Sequence, residues 1–286
     1  MTPIFDKTIS EILIDRLCAL EDHFKSDVLF YFGEIRESVD IFFRDVIEEL
    51  REENRSETIC IILNTPGGSA ETVEKLVRII RYHYKEVYFI VPDAAYSAGT
   101  IFCMSGDRIY MDYSSALGPI DPQVFNGKNW VPALGYLDKA DNFIEKSAKG
   151  TLTTAELVML KELDLALLRR YEQAKDLTID LLKGWLVKYK FKNWNNHSST
   201  GKKVTIEEKE ARAKEVATCL GDNKTWHSHG RPIGIIELTQ IVKLKIEDYS
   251  SDTNLKQLIR NYNDLICQYV IRTNSQIFIH TRQTIL

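Results

Sequence analysis

Two passages of the same build constrain this chain most. Ile59-Cys60-Ile61-Ile62-Leu63 runs into Asn64-Thr65-Pro66-Gly67-Gly68-Ser69, and Val87-Tyr88-Phe89-Ile90-Val91 runs into Pro92-Asp93-Ala94-Ala95-Tyr96-Ser97-Ala98-Gly99. Short continuous runs of β-branched and aromatic residues bounded by Pro and Gly read as buried strands. Helical spacing follows each one. Val73, Leu76, Val77 and Ile80 form one stripe of a helix over residues 70–84, and a short helix runs from Ser97 to Met104. Strand, tight loop and helix, twice over, predict an α/β fold with a parallel sheet and right-handed crossovers. Ligands of such sheets bind at the carboxyl ends of the strands. Gly67, Gly68 and Ser97 fall there.

A hydroxyl at a helix start, beside backbone N–H groups, offers what acyl transfer needs: a nucleophile and donors for the oxyanion. The residue after such a serine points its N–H at the same oxygen, which makes Ala98 one donor. Gly67 or Gly68 supplies the other, because a backbone without Cβ can approach closely. The same spacing fits a plain N-cap serine and an ordinary strand-to-helix turn. The residues alone leave both readings open.

Elsewhere the periodicity predicts a helix over 9–24, a strand over 27–35, and a helix capped by Ser38 that carries Ile41, Phe42, Val46, Ile47 and Leu50. After the turn Ser105-Gly106-Asp107 comes a strand at 108–111. Residues 136–190 read as mostly helical, broken and recapped at Thr151 to Thr154. Phe191 to Lys203 reads as an exposed loop, and helices follow near 205–220, 235–245 and 254–273. Ser275 to Leu286 fits either a terminal strand or a loose tail.

At 286 residues, 44% hydrophobic and 27% charged, the chain has ample core and an ordinary globular composition. A net charge of −4 gives no case for a nucleic-acid partner. The five cysteines are scattered without Cys-x-x-Cys, so reduced, buried thiols are expected. No secretory leader pattern opens the chain and no apolar run approaches the ~18 residues of a membrane span, which predicts a cytoplasmic protein without a transmembrane segment. There is no Gly-x-Gly-x-x-Gly after a strand and no nucleotide-binding Gly-x-x-x-x-Gly-Lys-Ser/Thr, and His227 and His229 with Cys219 match no usual zinc spacing. Neither cofactor nor metal is expected.

Three motifs carry a more specific signal. Thr65-Pro66-Gly67-Gly68-Ser69, Tyr96-Ser97-Ala98-Gly99-Thr100 and Leu117-Gly118-Pro119-Ile120-Asp121-Pro122-Gln123 occur in that order. Together they resemble the serine dehydrogenase proteinase family, of the superfamily that holds the Clp protease peptidase subunit and signal peptide peptidase A. The resemblance covers residues 27–145, with an echo at His229-Gly230-Arg231-Pro232-Ile233. It implies a ClpP/crotonase-like fold, a parallel sheet with added C-terminal helices. The division it suggests is an N-terminal helical segment (1–26), a catalytic core (27–150) and a mostly helical extension (151–286).

The resemblance further implies a serine peptidase that forms an acyl-enzyme at Ser97 with a peptide or protein substrate, with Gly68 the better second donor. The interval where the Clp peptidase carries its histidine has none here. Related proteases use a lysine farther downstream, and Lys139, in Val131 to Ala140, fits that place; Lys146 and Lys149 are lesser candidates. A lysine acts as base only when burial lowers its pKa. Leu134, Tyr136 and Leu137 could bury it, and Asp138 could hold it charged. His229 is the alternative base. Asp121, between two prolines, reads first as a rigid turn that shapes the site wall and second as a charge beside the base.

The superfamily also implies a homo-oligomer, a ring or trimer-based assembly. The apolar stripes Ile235, Leu238, Ile241, Val242 and Leu255, Leu258, Ile259, Tyr262, Ile266 look surplus to one sheet and point the same way. A separate ATPase partner is left undetermined. Two other functions fit the architecture: an oligomeric scaffold without activity, and a crotonase-type acyl-thioester enzyme. The latter usually pairs carboxylates near the glycine loop, where the sequence offers only Glu71.

Overall fold

The computed structural model describes residues 4–125, 130–197 and 200–285. Helix α1 (Ile4–Phe24) leads into β1 (Asp27–Gly33), then α2 (Val39–Glu52), β2 (Thr58–Asn64), α3 (Ala70–His83) and β3 (Glu86–Val91). A short β4 (Ala94–Ala95) precedes α4 (Ala98–Cys103), β5 (Arg108–Met111), β6 (Ala116–Leu117) and the pair β7 (Gln123–Phe125) and β8 (Trp130–Pro132). Helices α5 (Ala133–Ala148), α6 (Thr154–Lys161) and α7 (Leu165–Trp185) follow, and α7 passes into a π-helical turn, Leu186–Lys190. The chain closes with α8 (Ile206–Leu220), α9 (Asn223–Trp226), α10 (Ile235–Gln240), β9 (Glu247–Asp248), α11 (Thr253–Thr273) and β10 (Ile277–His280).

The main sheet has the order β10-β1-β2-β3-β5-β9. Its strands run parallel except β10, which lies antiparallel on β1 with Phe30 opposite His280. Within the segment after 275, Ile277–His280 is therefore a strand. The strand runs are apolar without alternation because helices cover both faces. Leu29, Tyr31, Ile59, Ile61, Leu63, Phe89 and Val91 enter one core with α2, α3 and α4, while Val28, Phe30, Cys60, Ile62 and Ile90 enter a second. Leu13, Leu17 and Leu20 of α1 and Leu255, Ile259, Tyr262 and Ile266 of α11 close that second core.

The stripes are less surplus than the sequence suggests. The α11 stripe fills the second core, and Leu238 and Val242 are buried in the first, while Ile241 stays 51% exposed. Ser38 also departs from its expected role: it stands at the N-cap of α2 with φ 78° and makes no side-chain cap bond. A capping serine needs extended backbone to aim its hydroxyl at the first N–H groups. Thr153, at the expected break, does cap α6 in a reciprocal box with Glu156. The loop expected over 191–203 is present, with 198 and 199 outside the described residues, as are the first three residues and Leu286 of the expected terminal segments. No described helix is long and apolar enough to cross a membrane.

Candidate active site

The carboxyl ends of β2 and β3 are stitched together by backbone. Thr65 N–H donates to Ala94 O and Tyr96 N–H to Thr65 O, each at 3.0 Å. Gly67 and Gly68 take φ 113° and 144°, which L side chains rarely adopt. A Cβ on Gly67 would lie 2.8 Å from Ser97 Cβ, and one on Gly68 would lie 2.0 Å from Ile35 O. The glycines thus let the two loops and the end of β1 close on one another. Ile35 N–H donates to Gly67 O and Ser69 N–H to Ile35 O, both at 2.8 Å, pinning the loop to the segment after β1. Gly67 N–H is occupied by Thr65 Oγ1 at 3.0 Å. Among the described residues nothing accepts the Gly68 or Ala98 N–H.

Ser97 occupies the N-cap position of α4, with φ 51° and ψ −115° and no side-chain cap bond. Its hydroxyl is not spent on the helix, as a plain N-cap would be. Thr100, one turn on, donates its hydroxyl to Ala95 O (2.8 Å) and accepts Gly118 N–H (2.9 Å). This fastens α4 to the Leu117–Gln123 turn.

Two distant segments meet at that turn. Leu117 and Ile233 exchange backbone bonds of 3.0 and 2.8 Å, which lays Ile233 alongside β6. Ile120 N–H donates to Leu220 O at 3.0 Å, anchoring the turn to the end of α8. As a result His229 Nδ1 lies 2.8 Å from Asp121 Oδ1, whose side chain is 2% exposed. Gln123 Nε2 donates to the other carboxylate oxygen at 2.9 Å. In the tautomer whose Nδ1–H donates to this carboxylate, Nε2 is the acceptor. A carboxylate-oriented imidazole of this kind can serve as a general base.

Ser97, Gly68, Ala98, Asp121 and His229 all line one cavity of about 600 Å³. Leu167, Arg170, Tyr171 and Ala174 of α7 line it too, so the helical extension contributes a wall. Lys139 does not reach it. The buried face of α5 is Ala133, Ala140 and Phe143, and Lys139 is exposed. Lys146 pairs with Glu156, and Lys149 lies 3.7 Å from Glu145. Glu71, three residues past Gly68 in the chain, accepts the Ser69 hydroxyl at 2.9 Å. Among the described residues no three His, Cys, Asp or Glu side chains converge as metal ligands would. The Asp121–His229 contact and the α7 wall are what sequence spacing does not assemble; the echo at 229–233 and the second reading of Asp121, as a charge beside the base, are the signals for the pair.

A family model described as ClpP-like SDH-type serine proteinase matches residues 28–207. Two uncharacterised proteins of Methanocaldococcus jannaschii are similar in part. One is 32% identical over 80 residues, 28% of this chain and 28% of that protein. The other is 27% identical over 113 residues, 40% of this chain and 37% of that protein. The matched part of the chain thus spans little more than a third of these relatives at most. Among solved structures, the 1510-N membrane-bound stomatin-specific protease in complex with a substrate peptide has 25% identity and a TM-score of 0.33, over 40% of this chain and 57% of that chain. The family match takes in both glycine-loop and Ser97 motifs and the greater part of the chain, and on it the chain belongs to the ClpP-like SDH-type serine proteinases.

Proposed function

We propose that this protein hydrolyses peptide bonds in peptide or protein substrates, with Ser97 as nucleophile and His229, oriented by Asp121, as general base. Ser97 Oγ attacks the substrate carbonyl carbon while His229 Nε2 takes the hydroxyl proton. The N–H groups of Gly68 and Ala98 receive the oxyanion. As the C–N bond breaks, Nε2 returns the proton to the leaving amine. Water, deprotonated by the same nitrogen, then attacks the acyl-enzyme, and the proton goes back to Ser97 Oγ. The observation that carries this reading is the 2.8 Å His229–Asp121 contact in the cavity that Ser97 lines. The exposure of Lys139 weighs against the lysine alternative.

A fluorophosphonate probe tests both parts. Capture at Ser97 is expected in the native chain and none in Ser97→Ala, which removes a hydroxyl that caps nothing and should change fold stability by no more than about 0.5 kcal/mol. His229→Ala should slow peptide hydrolysis by about 10³-fold or more. Lys139→Ala, on an exposed helix face, should stay within about twofold. Absence of capture at Ser97 ends the hydrolase reading. A dead Lys139→Ala beside an active His229→Ala ends the base assignment.

A further inference from the structure

The two loops of the candidate site leave the sheet from adjacent strand ends. Asn64 is the last residue of β2, one position before Thr65-Pro66-Gly67-Gly68. Asp93 stands two residues past β3 and four before Ser97. The backbone bonds among Thr65, Ala94 and Tyr96 are one tie between these ends. A second tie comes from the far end of the chain. Asn263 of α11 accepts the Asn64 Nδ2–H on its Oδ1 at 2.7 Å and donates from Nδ2 to Asp93 Oδ2 at 2.8 Å. One amide thus spans both strand ends. Its setting makes it costly unless bonded, because Asn263 is 3% exposed and Asn64 6%. The neighbours of Asn263 on the buried face of α11 are Ile259, Tyr262 and Ile266 of the second core, where an apolar side chain would serve packing. Cys267 Sγ adds a weak contact to Oδ1 at 3.7 Å from the same helix, and both strong bonds go to the strand ends.

We propose that Asn263 is a positioning residue for the reaction at Ser97: its amide fixes the spacing of the β2 and β3 ends, and through it the spacing of the two loops. The inference rests on the peptidase reading given above. In that reading the oxyanion donors come one from each loop, Gly68 N–H from the first and Ala98 N–H from the second, so they converge only while the loops hold their distance. The spacing has little slack, since a Cβ on Gly67 would already lie 2.8 Å from Ser97 Cβ. Productive geometry tolerates about 0.5 Å, and a 1 Å misplacement costs about a hundredfold in rate. Loss of the amide therefore acts on kcat and leaves substrate binding to the cavity walls near its native value.

The test separates position from stability. In Asn64→Leu/Asn263→Leu both buried amides give way to apolar groups of like shape, and Asp93, which is exposed, keeps water as its partner. Such paired removal is close to neutral for the fold, so the melting temperature should stay within about 5 °C of native. On a fluorogenic peptide kcat should fall by about tenfold or more while KM stays within about twofold, and fluorophosphonate labelling of Ser97 should slow to the same extent. A second pair of substitutions rebuilds the bridge in reverse. Asn263→Asp alone sets its carboxylate against that of Asp93 and should slow labelling by about tenfold; adding Asp93→Asn restores both bonds and should bring the rate back to within about threefold of native. Hydrogen exchange over residues 64–69 and 93–99, read by mass spectrometry, follows the clamp without turnover and should quicken by about tenfold or more in the leucine pair. A native chain that captures no probe ends the hydrolase reading, and faster exchange in the leucine pair then still supports the clamp. Native kcat or native exchange in the leucine pair overturns it, as does a slow Asn263→Asp chain that Asp93→Asn fails to restore.

Discussion

Ser97 sits at a backbone conformation that costs an L-residue about 1–3 kcal/mol, and only its surroundings hold it there. The closest of these is the glycine loop, whose position depends on having no Cβ at Gly67 and Gly68. Gly68→Ala would set a methyl 2.0 Å from Ile35 O at φ 144°, so the loop must part from the end of β1. We expect that variant to lose about 1–3 kcal/mol of stability, as overpacking does, and most of its probe capture at Ser97. A thermal melt and the labelling rate check both; native values for the two would remove the loop from the account. At this scale the sequence shows what lies close along the chain. Gly67, Gly68, Ser97 and Ala98 follow two adjacent strands, so their meeting is readable from strand order. Asp121 and His229 are 108 residues apart and meet through the Leu117–Ile233 bridge, which no local spacing encodes. Lys139 is exposed on α5, and which face of a helix a lysine takes is not read from its distance along the chain to a serine.

Among the elements, β1, β2 and β3 are legible because burial on both faces demands apolar runs. The edge strands are not. Glu247–Asp248 is polar and two residues long, and β10 is recognisable only from the antiparallel register it finds on β1. Placing β10 there buries His280, 0% exposed, with Nδ1 2.7 Å from Tyr262 Oη. Burial lowers this imidazole from 6.5 to about 4. The unfolded chain then binds a proton near pH 6.5 that the folded chain refuses. Stability should fall as pH drops from 6.5 towards about 4 and show no further loss from this group below it, up to about 3 kcal/mol in all. Glu21, raised by burial, acts in the opposite sense, so the comparison must be with a variant. His280→Gln keeps an acceptor for Tyr262. Its denaturation midpoints should decline less across that window than those of the native chain, and parallel profiles would refute the assignment.

On the scale of the whole molecule, one side chain joins four distant parts of the fold. Arg282, 4% exposed, places Nη1 2.6 Å from Glu21 Oε1 and 2.8 Å from Asp27 Oδ1, and Nε 3.1 Å from Glu53 Oε2. It thereby ties the segment after β10 to α1, β1 and α2. Tyr84 Oη donates to the second oxygen of Asp27 at 2.7 Å, and Val28 N–H donates to Glu21 at 3.2 Å, so both buried acids are held in place. Nothing in the local sequence marks Arg282 for this, because its partners lie at the other end of the chain. Burial lifts Glu21 above the ordinary carboxylate range even with the arginine present. Arg282→Met keeps most of the apolar stem and removes the charge, stranding two buried carboxylates. Breaking a buried pair from one side costs about 3–5 kcal/mol, far above the value of an exposed bridge. The loss should be largest near neutral pH and shrink towards about pH 4, because Glu21, already raised by burial, then takes up a proton and no longer needs a counter-charge. Urea denaturation of native and variant chains at both pH values measures it. A neutral-pH difference under about 0.5 kcal/mol would show that solvent, not Arg282, neutralises those carboxylates.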